Sequence, residues 1–238
     1  MNDEARELLR EHHDQEEHWV SVSDLMAGLM MIFLLISIIY MVKVEVEKDR
    51  IKEVAIVYNQ LKNELYQDLE NEFGEDFNKW GAELNKDLTI RFNEPKILFD
   101  LGSHKLKPEF RDILSTFFPR YVSIITAEKY RDSIIEVRIE GHTSSIWRKH
   151  TSEEDSYFLN MRLSQSRTRT ALRYVLGLAE IENELFWLRK HMTANGLSSS
   201  RLIYHENGVE DLARSQRVEF RIINNAEELM AKILELNR

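Results

Sequence analysis

The sequence contains no cysteine. A disulfide-stapled scaffold and a cysteine-ligated zinc site are therefore excluded, and the redox compartment is left open. Histidine is sparse and unpatterned: its eight copies never fall into an HExxH-type metal spacing. His12, His13 and His18 sit in a charged N-terminal segment and read as solvated surface. An excess of base is missing too. Lys and Arg total 32 against 41 Asp and Glu, giving a net charge of −9. A nucleic-acid binder needs a basic surface to meet phosphates, so no nucleic-acid partner is expected. There is no Gly-rich phosphate loop, no Ser/His/Asp order and no paired-acid arrangement. The many acids read as solvated helix faces. The chain is accordingly expected to be neither an enzyme nor a binder of metal or cofactor. Internal repeats and low-complexity linkers are also lacking.

What remains is 238 residues, 43% hydrophobic and 31% charged, an ordinary balance for a chain with a packed domain. The dominant feature is residues 19–42, "WVSVSDLMAGLMMIFLLISIIYMV", with no Lys, Arg, Glu, Pro or His. A hydrocarbon core about 30 Å thick needs about 20 residues of helix. A cleaved signal peptide needs a basic start and a small-residue cleavage site. Residues 1–18, "MNDEARELLREHHDQEEH", are rich in acid, and "YMVKVEVEKD" offers no such site. The expectation is an uncleaved single-span helix, with Trp19 and Tyr40 at its interfaces. Two Arg precede the span, while Lys43, Lys48, Arg50 and Lys52 follow it. The positive-inside rule alone would place the C-terminal side in the cytoplasm.

One charge interrupts the span. Asp24 lies about 7–8 Å along the helix from Trp19. An Asp at mid-membrane costs about 2.5–3.5 kcal/mol on insertion scales. One reading is an acid snorkelling to the nearby headgroups. The other is functional. Asp is too short to snorkel well, and Ser23, Ala27 and Gly28 form a small-residue surround that lets another helix approach. Ser21 and Ser23 can donate hydrogen bonds to the carboxylate. An intramembrane acid that faces protein is a candidate ion or proton site.

"SDLMAGLMMIFLLISII" resembles the membrane helix of MotB-like stator subunits over about 17 residues. ExbD- and TolR-like subunits share the buried Asp but less of the Met/Phe pattern. The resemblance implies that Asp24 alternately binds and releases a coupling ion, with Ser21 and Ser23 in support. The residues alone leave proton against sodium open, and the resemblance inclines to protons.

Beyond the span, Ile51, Val54, Tyr58, Leu61, Leu65, Leu69, Phe73, Phe77, Trp80 and Leu84 recur at three- and four-residue intervals. This spacing predicts an amphipathic helix continuing outward. It either lies on the following domain or associates with its own copy, and Gly74 and Gly81 are possible breaks. Strands are expected at "LTIRF", "KILFDLG", "SIIEVRIEG", "RLIYHENG" and "RVEFRII". A helix runs from Pro108 to about Thr126, bent or split at Pro119. Residues 143–158 read as a polar loop, and 159–176, 179–192 and 225–238 as helices. This order suggests an α+β sandwich.

"LFDLGSHKLKP", "VRIEGHTSS", "NMRLSQSRTRTALRYVL" and "SQRVEFRI" resemble the OmpA-like peptidoglycan-binding domain over about 88–224. The Asn-x-x-Leu-Ser-x-x-Arg pattern is intact at Asn160, Leu163, Ser164 and Arg167. The resemblance implies peptidoglycan binding through Asn160, Leu163, Arg167 and Thr143. A helix N-terminus with an Arg suits the carboxylate of a peptide stem. Two positions depart from the pattern. Ser144 stands where the family has Asp, and Ser215 and Gln216 replace Asn-Arg, while Arg217 remains. Glu153, Glu154 or Asp155 are candidate substitutes for the missing acid. The plain structural readings are an internal salt bridge for Arg167 and a packed strand-end residue for His142.

The expected organisation is a cytoplasmic tail over 1–18, a transmembrane helix over 19–42, a helical linker over 43–87, the OmpA-like domain over 88–224 and a C-terminal helix over 225–238. A MotB-like span before an OmpA-like domain is the layout of B-type stator subunits. That implies a cytoplasmic N-terminus and a periplasmic domain, against the charge count. The long helical connection and acidic tail are most similar to the B subunits of Zorya anti-phage defence systems. Membership implies a homodimer inside a pentameric ring of MotA-like A subunits in the bacterial inner membrane. A flagellar torque generator and a passive peptidoglycan tether are the alternatives, to be told apart by neighbouring genes.

Overall fold

The computed structural model describes residues 3–93, 95–148 and 151–224, with side-chain surroundings from residue 22 onward apart from 50, 53–55, 57 and 58. The expected C-terminal helix over 225–238 lies outside the described residues, as do the surroundings of His12, His13, His18 and Ser21. The chain divides into two units, 1–55 and 56–238.

The first helix, α1 (Asp3–Trp80), contributes to both units. In the first unit, Val22–Asp49 is long and apolar enough to cross a membrane, and none of its most apolar stretch is buried within the chain. In the second unit the three-and-four stripe becomes core: Leu65, Leu69, Phe73, Phe77 and Trp80 are buried. Over these residues the helix lies on its own domain. α1 runs through Gly74 and stops before Gly81, whose φ of +58° lies in the left-handed region that glycine enters at little cost.

Strands follow where β-branched and aromatic residues alternate. β1 (Ala82–Leu84), β2 (Thr89–Phe92), β3 (Ile134–Gly141), β4 (Met192–Gly196) and β5 (Val218–Asn224) form one sheet in the order β1-β2-β5-β3-β4. All pairs are antiparallel except β3–β4, which is parallel. Such a pair needs a crossover, and α5 (Glu153–Val175), a 3₁₀ helix (Ala179–Glu184) and α6 (Leu185–His191) supply it. α2 (Pro95–Leu98), α3 (Pro108–Ile125), α4 (Glu128–Arg131) and α7 (Leu212–Ser215) complete the second unit. The fold is thus an apolar N-terminal helix followed by an α+β domain with a mixed sheet. Its core is aromatic. Phe117 of α3 packs 5.2 Å from Phe73, 5.4 Å from Phe92 and 5.3 Å from Phe220, ring centre to ring centre.

Several elements differ from expectation. β1 falls within the stretch expected to be helical linker, where pairing with β2 recruits it. "KILFDLG" is not a strand: Pro95 opens a helical turn, and only a Phe99–Leu106 bridge follows. "RLIYHENG" supplies only the Tyr204–Glu210 bridge around a turn at Gly208. "MTANG" has little strand propensity, yet β3 pairs with it in parallel register. Pro119 does not split α3, which runs unbroken from Pro108 to Ile125. It removes one backbone bond, while Phe117, Phe118, Tyr121 and Val122 are buried around it and hold the helix.

α5 begins six residues earlier than the sequence pattern predicts. Ser152 caps it by accepting from Asp155 N at 3.0 Å, and acids fill its first turn. Glycines then set how closely α5 meets the sheet. A Cβ on Gly196 would lie 2.2 Å from Gln165 N, and one on Gly141 2.6 Å from Thr168 Cγ2. Gln165 uses the close approach, accepting from Gly196 N at 2.8 Å and donating to Ala194 O at 3.1 Å.

Candidate functional site

Three of the motif residues, Asn160, Ser164 and Arg167, fall at helical spacing on the buried side of α5. Asn160 Nδ2 donates to Ser144 O at 3.1 Å and holds the loop after β3. Ser164 Oγ accepts from Ser198 N at 3.1 Å and holds the loop after β4. Arg167 reaches a cleft of about 440 Å³ at the ends of β3 and β5, walled by Phe99, Asp100, Lys107, His142 and Arg217 among others. Its Nε donates to Ser103 O at 2.8 Å and its Nη2 to Asp100 O at 3.2 Å, with the guanidinium 4.8 Å from the Phe99 ring centre. Arg167 is 8% exposed. The internal salt bridge considered for it does not exist among the described residues: its partners are carbonyls. Burial without a counter-charge pulls this guanidinium down to about 10.

Of the four residues expected to bind peptidoglycan, only Arg167 lines the cleft. Asn160 is buried and structural, and Leu163 is half-buried. Thr143 is buried, with its N donating to Ser198 O at 2.9 Å and its Oγ1 unpaired within the protein. Because α5 starts at Glu153, the motif lies well inside the helix, so free N-terminal backbone donors are not at this site. The Ser152-to-Asp155 spacing is the signal that marks the true start. Glu153, Glu154 and Asp155 are exposed in that first turn and do not line the cleft. Ser144 is buried, with its Oγ 3.5 Å from Ile146 O. The acid that does line the cleft is Asp100, its carboxylate 3.5 Å from Lys107 Nζ. It stands in the quoted "LFDLGSHKLKP", and only the path of the loop reveals it.

Under the cleft lies a buried charge network. Glu219 Oε1 accepts from Arg91 Nε at 2.6 Å and from Arg217 Nε at 2.7 Å, and Glu219 Oε2 is 3.3 Å from His142 Nε2. Glu140 accepts from Arg201 Nη1 at 3.1 Å. Burial alone would raise the Glu219 carboxyl. The proximity of His142 and of the Arg217 guanidinium outweighs burial and holds it far below the carboxylate range. Burial pushes the His142 imidazole down, against the pull of Glu219. His142 is thus a packed residue at the end of β3 that also forms cleft wall. Ligand atoms of Glu140, His142 and Glu219 lie within 4.8 Å of one another. Arg91, Arg201 and Arg217 already satisfy those carboxylates and oppose a cation there.

In the first unit Asp24 and Ser23 are exposed, flanked by the apolar side chains of Val22, Leu25 and Met26. Ala27 and Gly28 follow at helical spacing, and a Cβ on Gly28 would meet nothing within 4 Å.

No protein-family model matches the chain. It is 46% identical over 232 residues to the Zorya protein ZorB of Escherichia coli, covering 97% of both chains. A putative MotB-like protein from Desulfovibrio vulgaris shares the fold, with a TM-score of 0.50 at 20% identity over 72% of this chain and 99% of that one. The type VI secretion cell-wall anchor of Pseudomonas aeruginosa aligns at a TM-score of 0.41 and 17% identity, over 66% and 96% of the two chains. The periplasmic domain of Helicobacter pylori MotB aligns at 0.39 and 13%, over 63% and 85%.

Proposed function

Because the chain belongs to the family of the Zorya protein ZorB, we propose that it is the B subunit of a MotB-type, ion-driven membrane motor in anti-phage defence. One observation carries the reading: over residues 22–42 the membrane-length helix exposes a single carboxylate, Asp24, in an apolar surface that none of the described residues covers. A short acid cannot rest charged against lipid, so it faces protein or exists to change its charge.

In this reading the span crosses the bacterial inner membrane once, with the N-terminus cytoplasmic and the second unit periplasmic. Two copies stand inside a ring of five A subunits. A proton from the periplasm neutralises Asp24 and leaves to the cytoplasm, and Ser21 and Ser23 steady the carboxylate between the two states. Each elementary charge crossing 100 mV releases about 2.3 kcal/mol. The changing charge on Asp24 alters its preferred contacts with the ring, and the two acids of the dimer are served in turn. The second unit holds peptidoglycan, with Arg167 taking a stem carboxylate and Asp100 facing its amine. Anchored in this way, the B dimer resists torque and the ring turns around it.

The experiment purifies the chain with its neighbouring A-type gene product, counts subunits, and compares Asp24→Asn with the native protein. The variant is expected to assemble at the same subunit ratio while losing proton flux and phage protection. Normal protection by Asp24→Asn refutes the ion site and leaves a passive tether.

A further inference from the structure

A second cavity of about 440 Å³ lies between α3, α5 and the loop before α3, and its charged lining is basic throughout: His104, Lys105, Arg111, Arg169 and Arg173. All five are exposed. None of the four Lys and Arg side chains makes an ion pair among the described residues, whereas Arg91, Arg120, Arg201 and Arg217 all do. Clustered cations repel one another, and an acid in the groove would relieve that. The groove has none, in a chain carrying 41 acids to 32 Lys and Arg. Ser166 adds a hydroxyl without a bond of its own, and Thr170 Oγ1, donating to Ser166 O at 2.8 Å, presents lone pairs.

The groove and the Arg167 cleft are separate cavities built around the same loop. One short loop walls both: Asp100 and Lys107 face the first, His104 and Lys105 the second, and Ser103 O between them receives Arg167 Nε. The same helix, α5, carries Arg167 on one side and Arg169 and Arg173 on the other. Tyr174 Oη donates to Arg111 O at 3.2 Å and fixes the spacing of α3 and α5.

We propose that this groove is a second anion-binding site, taking further carboxylates of the peptidoglycan whose first carboxylate sits at Arg167. The assignment rests on the wall-binding reading above. The part placed outside the membrane, residues 43–238, carries 33 acids to 30 Lys and Arg and so does not draw a free polyanion from solution. A polymer already held at Arg167 presents its next carboxylates at high effective concentration, so exposed guanidiniums of modest individual strength suffice. Gripping wall at two points also resists rotation about a single contact, as an anchor under torque must.

The test uses the full chain in detergent and co-sedimentation with isolated sacculi, comparing native protein, Arg167→Ala and the double variant Arg169→Gln with Arg173→Gln. Each lost surface ion pair weakens binding about threefold. The double variant is therefore expected to bind sacculi about tenfold more weakly, with a shallower salt dependence. Its melting temperature and its affinity for the free tripeptide L-Ala–D-Glu–diaminopimelate stay native, because that small ligand fills only the Arg167 cleft. Native sacculus binding by the double variant, with loss in Arg167→Ala, overturns the second site and leaves the wall reading standing. Native binding by both variants overturns the wall reading itself. Equal loss of tripeptide and sacculus binding by the double variant also overturns the second site, since the groove then acts only through Arg167. Vesicles of phosphatidylglycerol and duplex DNA form the remaining arms. A loss confined to either one reassigns the groove to that partner and refutes the proposal.

Discussion

Substituting Gly196 by alanine probes the contact that positions the candidate binding helix. The new Cβ would lie 2.2 Å from Gln165 N, 2.6 Å from Gln165 Cα and 2.8 Å from Ser164 C. All three atoms are backbone, so no rotamer change clears the clash, and α5 must retreat by about 1 Å to reach ordinary contact. That retreat also stretches the two hydrogen bonds of the Gln165 amide to Gly196 N and Ala194 O. Overpacking costs about 1–3 kcal/mol, and two strained hydrogen bonds add about 1 kcal/mol each. The sum, about 3–5 kcal/mol, corresponds to a fall of about 6–20 °C in melting temperature for a unit of this size. The assay is thermal unfolding of the full chain in detergent followed by near-ultraviolet circular dichroism. Gly141→Ala is the internal comparison. Its Cβ meets the Thr168 methyl at 2.6 Å and Ser164 O at 3.0 Å, of which only the second is backbone, so a smaller loss is expected. Sacculus binding is expected to fall with Gly196→Ala at temperatures where the protein is still folded, because Arg167 rides on the displaced helix. A Gly196→Ala protein melting within 2 °C of native refutes the claim that this approach sets the site.

Phe73→Ala is expected to cost about 3–5 kcal/mol, because the ring is fully buried against Phe117 and Trp80. Ile56→Ala, at a residue 66% exposed, is expected to change stability by less than about 0.5 kcal/mol, and urea unfolding of both variants reads the contrast. Glu219→Gln leaves the Arg217 guanidinium without a charged partner and Arg91 with Glu83 alone, and is expected to cost about 3–5 kcal/mol at neutral pH. The pH dependence follows from the lowered carboxyl. A group depressed on folding contributes its full stability above its unfolded value, near the ordinary 4.5, and loses it as pH falls toward its folded value. The native-minus-variant difference in melting temperature should be flat from pH 7 to about 5 and shrink below 4.5. A difference that grows on acidification contradicts this sign.

The membrane helix was legible because its signal is local: length and apolarity need no partner to be read. The outer fold was legible in its strongest strands, "LTIRF", "SIIEVRIEG" and "RVEFRII", whose alternation matches one buried face of a sheet. β1 and β4 were not legible, being short edge strands made by pairing rather than by composition. The expected split at Pro119 failed for a related reason, since four buried neighbours keep α3 in one piece. At the candidate site, the motif lies on α5, and its residues were given one role where the structure divides them. Asn160 and Ser164 tie down loops, and Arg167 alone meets the cleft. Asp100, Lys107 and the basic groove arise from a loop whose path the sequence does not specify, so their convergence could be read only in three dimensions.

Elsewhere the domain supplies its own counter-charges. Arg120 bonds Glu72 and Asp76, Lys129 bonds Asp68, and Arg91 and Arg217 share Glu219. Among the described residues, two ions in buried or apolar surroundings have none. Asp24 in an apolar, membrane-length surface carries an insertion cost of about 2.5–3.5 kcal/mol at mid-membrane and less nearer the interface. Arg167, buried and bonded only to carbonyls, is pulled down to about 10 by burial. Folding gains nothing from either isolated charge, and an apolar residue at either place would remove the penalty. In the proposed function the expense is recovered when something outside the chain arrives: a helix and a proton for the acid, an anion for the base. The same argument explains why the two sites differ in kind. Asp24 can shed its charge by binding a proton and so can cycle. Arg167 stays protonated at any physiological pH even at its lowered value, so it can only hold.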